Sequence, residues 1–221
     1  MRRKRVAVII SGRGSNLRAL IGASEKPNYP ATIALIISNR PGAEGLEHGI
    51  ASNIPTLVID HERFRDAPNP KAAFEEQLND ILHANEIELV CLAGFMRLLS
   101  DDFVNSWAGR ILNIHPSLLP AFRGLHVQRR TLESGVKIAG CTVHIVSSEM
   151  DAGPIIGQAA LCVQPDDTIE SLTERILRLE HTLYPACLAA IASGSAKLID
   201  GAKVALECAS VPISTIATPS S

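Results

Sequence analysis

The sequence predicts an α/β fold: a doubly wound, mostly parallel sheet with helices on both faces and antiparallel strands added in the C-terminal half. Three observations carry this expectation. Hydrophobic residues make up 46% of the 221 positions and aromatic residues only 4%, so the core must be aliphatic, which suits a sheet buried on both faces. In the first half, short apolar runs alternate with segments of helical periodicity. In the second half, apolar runs follow one another directly, the pattern of antiparallel neighbours. No internal repeat and no separating linker is present, so 1–207 is expected to form one domain, with 208–221, rich in Ser, Thr and Pro, as a disordered tail.

The elements follow in order. Residues 5–10 are a continuous apolar strand that ends at Ser11-Gly12-Arg13-Gly14-Ser15-Asn16. A helix over 15–23 stops near Lys26-Pro27. Strand 32–37, helix 43–52 and strand 56–59 come next, and 60–70, polar and proline-containing, is a loop. Over 71–85, Ala73, Phe74, Leu78, Ile81 and Leu82 recur at helical spacing. Strand 88–93 ends at Gly94, Ser100 caps a short helix over 101–106, and strand 110–114 ends at His115-Pro116. A helix covers 124–134. The alternation in 136–147 predicts a half-exposed strand, followed by strand 155–163. A long helix spans 168–192 with Asp166 or Asp167 near its start, and 197–206 is a small strand or hairpin.

Composition removes several classes of function. A net charge of −2 argues against general nucleic-acid or anionic-membrane binding. The basic start is followed by an apolar run of only about six residues, too short for a signal peptide. No run approaches the ~20 apolar residues of a membrane-spanning helix. The five cysteines are odd in number and lack CxxC spacing, so they read as small buried hydrophobes in a reducing, cytoplasmic compartment. No HxH, HExxH or Cys/His spacing occurs, so no metal is expected.

Three clusters can carry chemistry, and in an open parallel sheet ligands bind beyond the carboxyl ends of the strands. The loop 11–16 has glycines that let amides approach an anion ahead of a helix. Leu17 stands where a dinucleotide loop has its third glycine, and the loop lacks the lysine of a Walker loop, which disfavours nicotinamide and ATP. Its plain alternative is a tight turn with Ser15 as helix cap. In Asn113-Ile114-His115, strand alternation points Asn113 and His115 to one face. An amide donor and an imidazole can then converge on one reacting atom. Asp151, in Asp151-Ala152-Gly153-Pro154, could lie beside His115 or be an ordinary turn residue. Of the other histidines, His48, His61 and His83 read as solvated and His144 as buried and hydrogen-bonded.

Taken together, Ser11–Asn16, Gly94-Phe95-Met96-Arg97, Asn113-Ile114-His115-Pro116-Ser117-Leu118-Leu119-Pro120, Gly124-Leu125-His126 and Asp151-Ala152-Gly153-Pro154 resemble the phosphoribosylglycinamide formyltransferases, folate-dependent enzymes of purine synthesis. The likeness runs over about 5–206. It implies transfer of the formyl group from 10-formyltetrahydrofolate, as co-substrate, to the primary amine of glycinamide ribonucleotide. By the same resemblance Asn113, His115 and Asp151 form the catalytic trio. Gly14, Ser15, Asn16 and Glu180 hold the ribonucleotide, and Lys71, Met96, Arg97, Leu98, Leu99 and Asn113 hold the folate. Lys71 stands where relatives can carry an arginine.

Two departures bear on the site. Ala152 replaces a common glycine, and its methyl group could restrict the loop. Leu177 replaces an often polar residue, which could remove a ribonucleotide contact. The partners implied are small molecules, with no nucleic acid and no membrane, and the chain is a monomer or homodimer. The alternatives are a formyltetrahydrofolate hydrolase, which keeps the trio but adds an N-terminal module for which strand one leaves no room, and a non-catalytic nucleotide-binding module. A methionyl-tRNA formyltransferase would need a further C-terminal domain and a basic face.

Overall fold

The computed structural model describes residues 2–199 and 203–206. Nine strands are present among them: β1 Lys4–Ile10, β2 Ala31–Ser38, β3 Thr56–Val58, β4 Leu89–Leu92, β5 Ile111–His115, β6 Ile138–Ile145, β7 Ile155–Cys162, β8 Ala196–Ile199 and β9 Lys203–Leu206. The helices are α1 Ser15–Ser24, α2 Gly45–Ala51, α3 Pro70–Ala84, α4 Asp101–Ser106, α5 Val127–Glu133 and α6 Ile169–Ser193. Strands one to seven form one sheet in the order β3-β2-β1-β4-β5-β6-β7. Pairing is parallel from β3 to β5 and antiparallel from β5 to β7, while β8 and β9 form a separate hairpin. The predicted fold class is therefore the observed one. The strand order reverses between β1 and β4, and their carboxyl ends open the crevice where such sheets bind ligands.

The sheet is buried from both sides, as its aliphatic strands require. In β1, Val6, Val8 and Ile10 join the core under α1, α2, α5 and α6, while Ala7 and Ile9 join the core under α3 and α4. Side-chain alternation sends successive apolar residues to opposite layers, so the run is apolar throughout. Tyr184 of α6 ties the layers together: its buried hydroxyl faces Leu92 O at 3.1 Å and Leu112 O at 3.0 Å, near the ends of β4 and β5. The Thr168 cap of α6 forms a reciprocal box with Ser171, and the helix starts at Ile169, within one residue of the expected start at 168.

One expectation is overturned. β6 is not half-exposed: every residue after Ile138 is buried. Its polar residues are paired inside the protein, with Thr142 Oγ1 donating to Ser117 O at 2.7 Å and His144 Nδ1 lying 3.1 Å from Ile145 O. Polar alternation usually marks a solvated face; here it marks partners brought in from other segments. Cys91, Cys141 and Cys187 are buried free thiols and Cys162 is partly buried. Burial pushes the Cys91 and Cys187 thiols up to about 12, so both remain protonated and inert. Cys208 and the expected tail 208–221 lie outside the described residues.

Candidate active site

The loop that follows β1 builds one wall of the crevice. Ser11 Oγ donates to Asn39 Oδ1 at 2.6 Å and accepts from Met96 N at 3.0 Å. A single hydroxyl thus pins together the ends of β1, β2 and β4. Gly14 is the N-cap of α1 in left-handed conformation (φ 72°), with no side-chain cap. Ser15 is the first helical residue and not the cap, which corrects the plain alternative for this loop. A Cβ at Gly14 would also fall 2.7 Å from Gly45 Cα, so the turn needs glycine for both dihedral and space.

Beside this loop lies a cavity of about 450 Å³ lined by Gly14, Ser15, Asn16, Met96, Leu177 and Glu180 among others. Arg13 and Arg40 are its lining cations and Glu180 its lining acid. Glu180 is 5% exposed and accepts from Asn16 Nδ2 at 2.6 Å. Burial pushes its carboxyl up to about 7, and the Asn16 hydrogen bond opposes that rise only in part. Asn16 Oδ1 is buried without a partner, an acceptor held out of water beside the cavity. Leu177 makes its part of the wall apolar, as the sequence departure implies.

Asn113 and His115 stand on β5, and the antiparallel register sets His144 of β6 opposite Asn113. His144 Nδ1–H donates to Ile145 O, which leaves Nε2 as acceptor for Asn113 Nδ2 at 3.2 Å. Burial pushes the His144 imidazole down, so the ring is neutral and this tautomer holds. The carboxamide is thereby oriented, with one N–H spent on His144 and the second available. Sequence reasoning recognised His144 only as a buried, bonded residue. Its role in orienting Asn113 depends on the β5–β6 register.

Asp151 completes the cluster. Its Oδ2 lies 3.4 Å from His115 Nδ1 and accepts from Gly124 N at 2.8 Å, and its Oδ1 lies 3.8 Å from His144 Nε2. The other His115 nitrogen, Nε2, faces Phe122 O at 3.0 Å. With an acceptor at each nitrogen, only the doubly protonated ring can donate to both. Asp151 adopts φ 52°, a conformation that Asp tolerates better than most side chains. The structure therefore brings Asn113, His115 and Asp151 together. Ile114 and Pro116, which flank His115 in the chain, line the cavity, while the trio itself is not part of that lining.

Ala152 is not among the residues with positive φ, so its methyl group meets no backbone strain. The demanding position is Gly153, where a Cβ would lie 1.8 Å from Ile145 O. That oxygen also fixes the His144 tautomer. Gly153→Ala is expected to lower the thermal midpoint by on the order of 3–10 °C, from about 1–3 kcal/mol of overpacking, and to reduce any activity of the trio. A thermal melt at the wild-type midpoint would contradict this account of the loop.

The candidate folate residues divide. Met96 and Leu98 are each 65% exposed on the loop after β4, large apolar side chains open to a ligand. The Arg97 guanidinium covers the Phe74 ring at 5.4 Å, and Leu99 packs into the core beside it. Lys71 is on the first turn of α3, one turn before Phe74. Arg97, Leu98, Leu99 and Lys71 do not line the cavity described above. The loop itself is anchored from α3: Glu75 accepts from Ser100 N at 2.7 Å and from its hydroxyl. Among the described residues no cluster of three His, Cys, Asp or Glu side chains could hold a metal, and no helix is long and apolar enough to cross a membrane.

An oriented amide, an imidazole and a carboxylate at the end of a central strand, with a glycine loop after the first strand, define a doubly wound α/β protein with a polar site beyond its strand ends. Comparison with known proteins gives the family. The formyl transferase model matches residues 4–188. The phosphoribosylglycinamide formyltransferase of Bacillus subtilis is 40% identical over 185 residues, covering 84% of this chain and 93% of its own length. The trifunctional purine biosynthetic protein adenosine-3 of Gallus gallus is 46% identical over 90% of this chain, and the chain spans 20% of that relative's length. The crystal structure of glycinamide ribonucleotide transformylase 1 from Symbiobacterium toebii superposes with a TM-score of 0.87 at 44% identity, covering 92% of this chain and 94% of that one. The chain belongs to the formyl transferase family.

Proposed function

We propose that this protein transfers the formyl group of 10-formyltetrahydrofolate to the primary amine of glycinamide ribonucleotide, in purine biosynthesis. The observation that carries this reading is the cluster of Asn113, His115 and Asp151 at the end of β5, whose neighbours Ile114 and Pro116 line the same cavity as Gly14, Ser15, Asn16 and Glu180. The ribonucleotide phosphate faces the loop amides and Arg13, and Glu180 accepts from sugar hydroxyls. Met96 and Leu98 give apolar contact to the folate, with Arg97 and Lys71 at the rim of its site. Leu99 supports that loop from the core.

In the reaction the amine attacks the formyl carbon, forming the new C–N bond and a negative oxygen. The free N–H of Asn113 and an N–H of His115 donate to that oxygen, while Asp151 orients the ring. To donate from Nε2, His115 gives up Phe122 O. The bond to folate N10 then breaks as a proton passes from the amine to N10, relayed by His115 or water. The substrates are small molecules, and the cytoplasm is the proposed site of action. We also propose that 1–207 is one domain.

Absorbance at the tetrahydrofolate band, followed with and without glycinamide ribonucleotide, tests the reading. Loss of the formyl-folate that depends on the amine is expected. Loss without the amine would make the protein a hydrolase, and no loss would leave a nucleotide-binding module.

A further inference from the structure

Residues 122–124 touch both the imidazole and the carboxylate of the site through backbone groups alone. Phe122 O meets His115 Nε2 at 3.0 Å and Gly124 N meets Asp151 Oδ2 at 2.8 Å. Between them, Arg123 reaches Glu149, two residues before Asp151, at 2.5 Å. This segment holds an unusual backbone: φ is 54° at Phe122, 80° at Gly124 and 55° at His126. Two of these three are non-glycine residues in the left-handed region, which does not persist unless surrounding contacts impose it.

Arg130, on α5, supplies such contacts. Its Nη1 donates to Arg123 O at 2.6 Å and lies 3.5 Å from Leu125 O, and its guanidinium carbon sits 5.7 Å from the centre of the Phe122 ring. One planar side chain therefore engages residues 122, 123 and 125 together. A guanidinium can do this because it donates in several directions while stacking on a ring.

We infer that Arg130 is a positioning residue, a clasp on 122–125 that sets where the Phe122 carbonyl and the Gly124 amide meet His115 and Asp151. The Arg123–Glu149 pair ties the same segment to the loop that carries Asp151. The clasp acts through backbone, so Arg130 touches neither substrate nor reacting atom. Its importance for turnover rests on the reading of His115 and Asp151 given above; its geometric effect does not.

Arg130→Met removes the donors and keeps an apolar stem, Arg130→Lys restores a charged donor group without the planar fork, and Arg129→Met is the neighbouring control. In Arg130→Met, kcat falls about tenfold, as expected for a small displacement of catalytic groups, while KM for either substrate changes by no more than about twofold. The ring-nitrogen NMR signal of His115 shifts, Arg130→Lys falls between Met and wild type, and Arg129→Met matches wild type. The His115 signal needs no substrate, so it reports on the clasp even if the chain proves to have a different activity. An unshifted His115 signal in folded Arg130→Met overturns the inference. So does a rate loss that only follows the loss of folded protein.

Discussion

Alanine in place of Asn113 or His115 is expected to lower kcat by about 10²–10³-fold, the cost of losing one donor to a developing oxyanion. The effect is kinetic because each side chain is aimed at the site by groups that stay behind. Asn113 is oriented by the neutral His144, and His115 by Asp151 on one nitrogen and Phe122 O on the other. Removing the imidazole leaves Asp151 still bonded to Gly124 N, and removing the carboxamide opens a half-buried position that water can fill. The thermal midpoint should therefore move by only a few degrees. Turnover and melting are measured on the same preparations. Near-wild-type kcat in either variant would remove it from the proposed chemistry, whereas loss of the folded state would assign it a structural role instead.

Glu180→Gln is expected to give the other large effect, with opposite signs for stability and binding. The Glu180 carboxyl ordinarily titrates near 4.5 and is pushed by burial to about 7. A proton bound more tightly in the folded chain stabilises it at low pH, and that contribution is lost as pH rises from 4.5 through about 7. A displacement of this size corresponds to about 3 kcal/mol, or on the order of 5–10 °C of melting temperature. The wild-type midpoint should fall by that order between pH 5 and 8, and Glu180→Gln should flatten the fall. The same variant should raise KM for the ribonucleotide about tenfold or more, because an amide oxygen accepts more weakly than a carboxylate. If the wild type and variant melt with the same pH slope, the charged, buried state of Glu180 is not what costs stability.

Much of this molecule is legible in its amino-acid sequence. Short aliphatic runs between helical periodicities specify buried parallel strands, since only strands covered on both faces are apolar at every position. The loop 11–16 announces a strand-to-helix turn open to anions, and period two puts Asn113 and His115 on one side of β5. Where local pattern misled, the cause was a distant partner. The alternation makes Thr142 look like a solvent-facing residue of β6, yet its hydroxyl donates to Ser117 O inside the protein, while His144 is buried and bonded as its reading has it. Ala152 looked like a threat to its loop, and the structure moves that demand to Gly153.

Sequence by itself determined the layers, the strand run and the identity of the chemically able side chains, because these depend on short-range periodicity and on side-chain type. Tertiary structure decided their partnerships. That His144 faces Asn113 follows from the β5–β6 register, that Asp151 faces His115 follows from the course of the loop between β6 and β7, and that Glu180 meets Asn16 follows from the packing of α6 on α1. Hydrogen bonds and shifted proton affinities depend on distances of a few ångströms between residues far apart in the chain, and only the folded arrangement sets those distances.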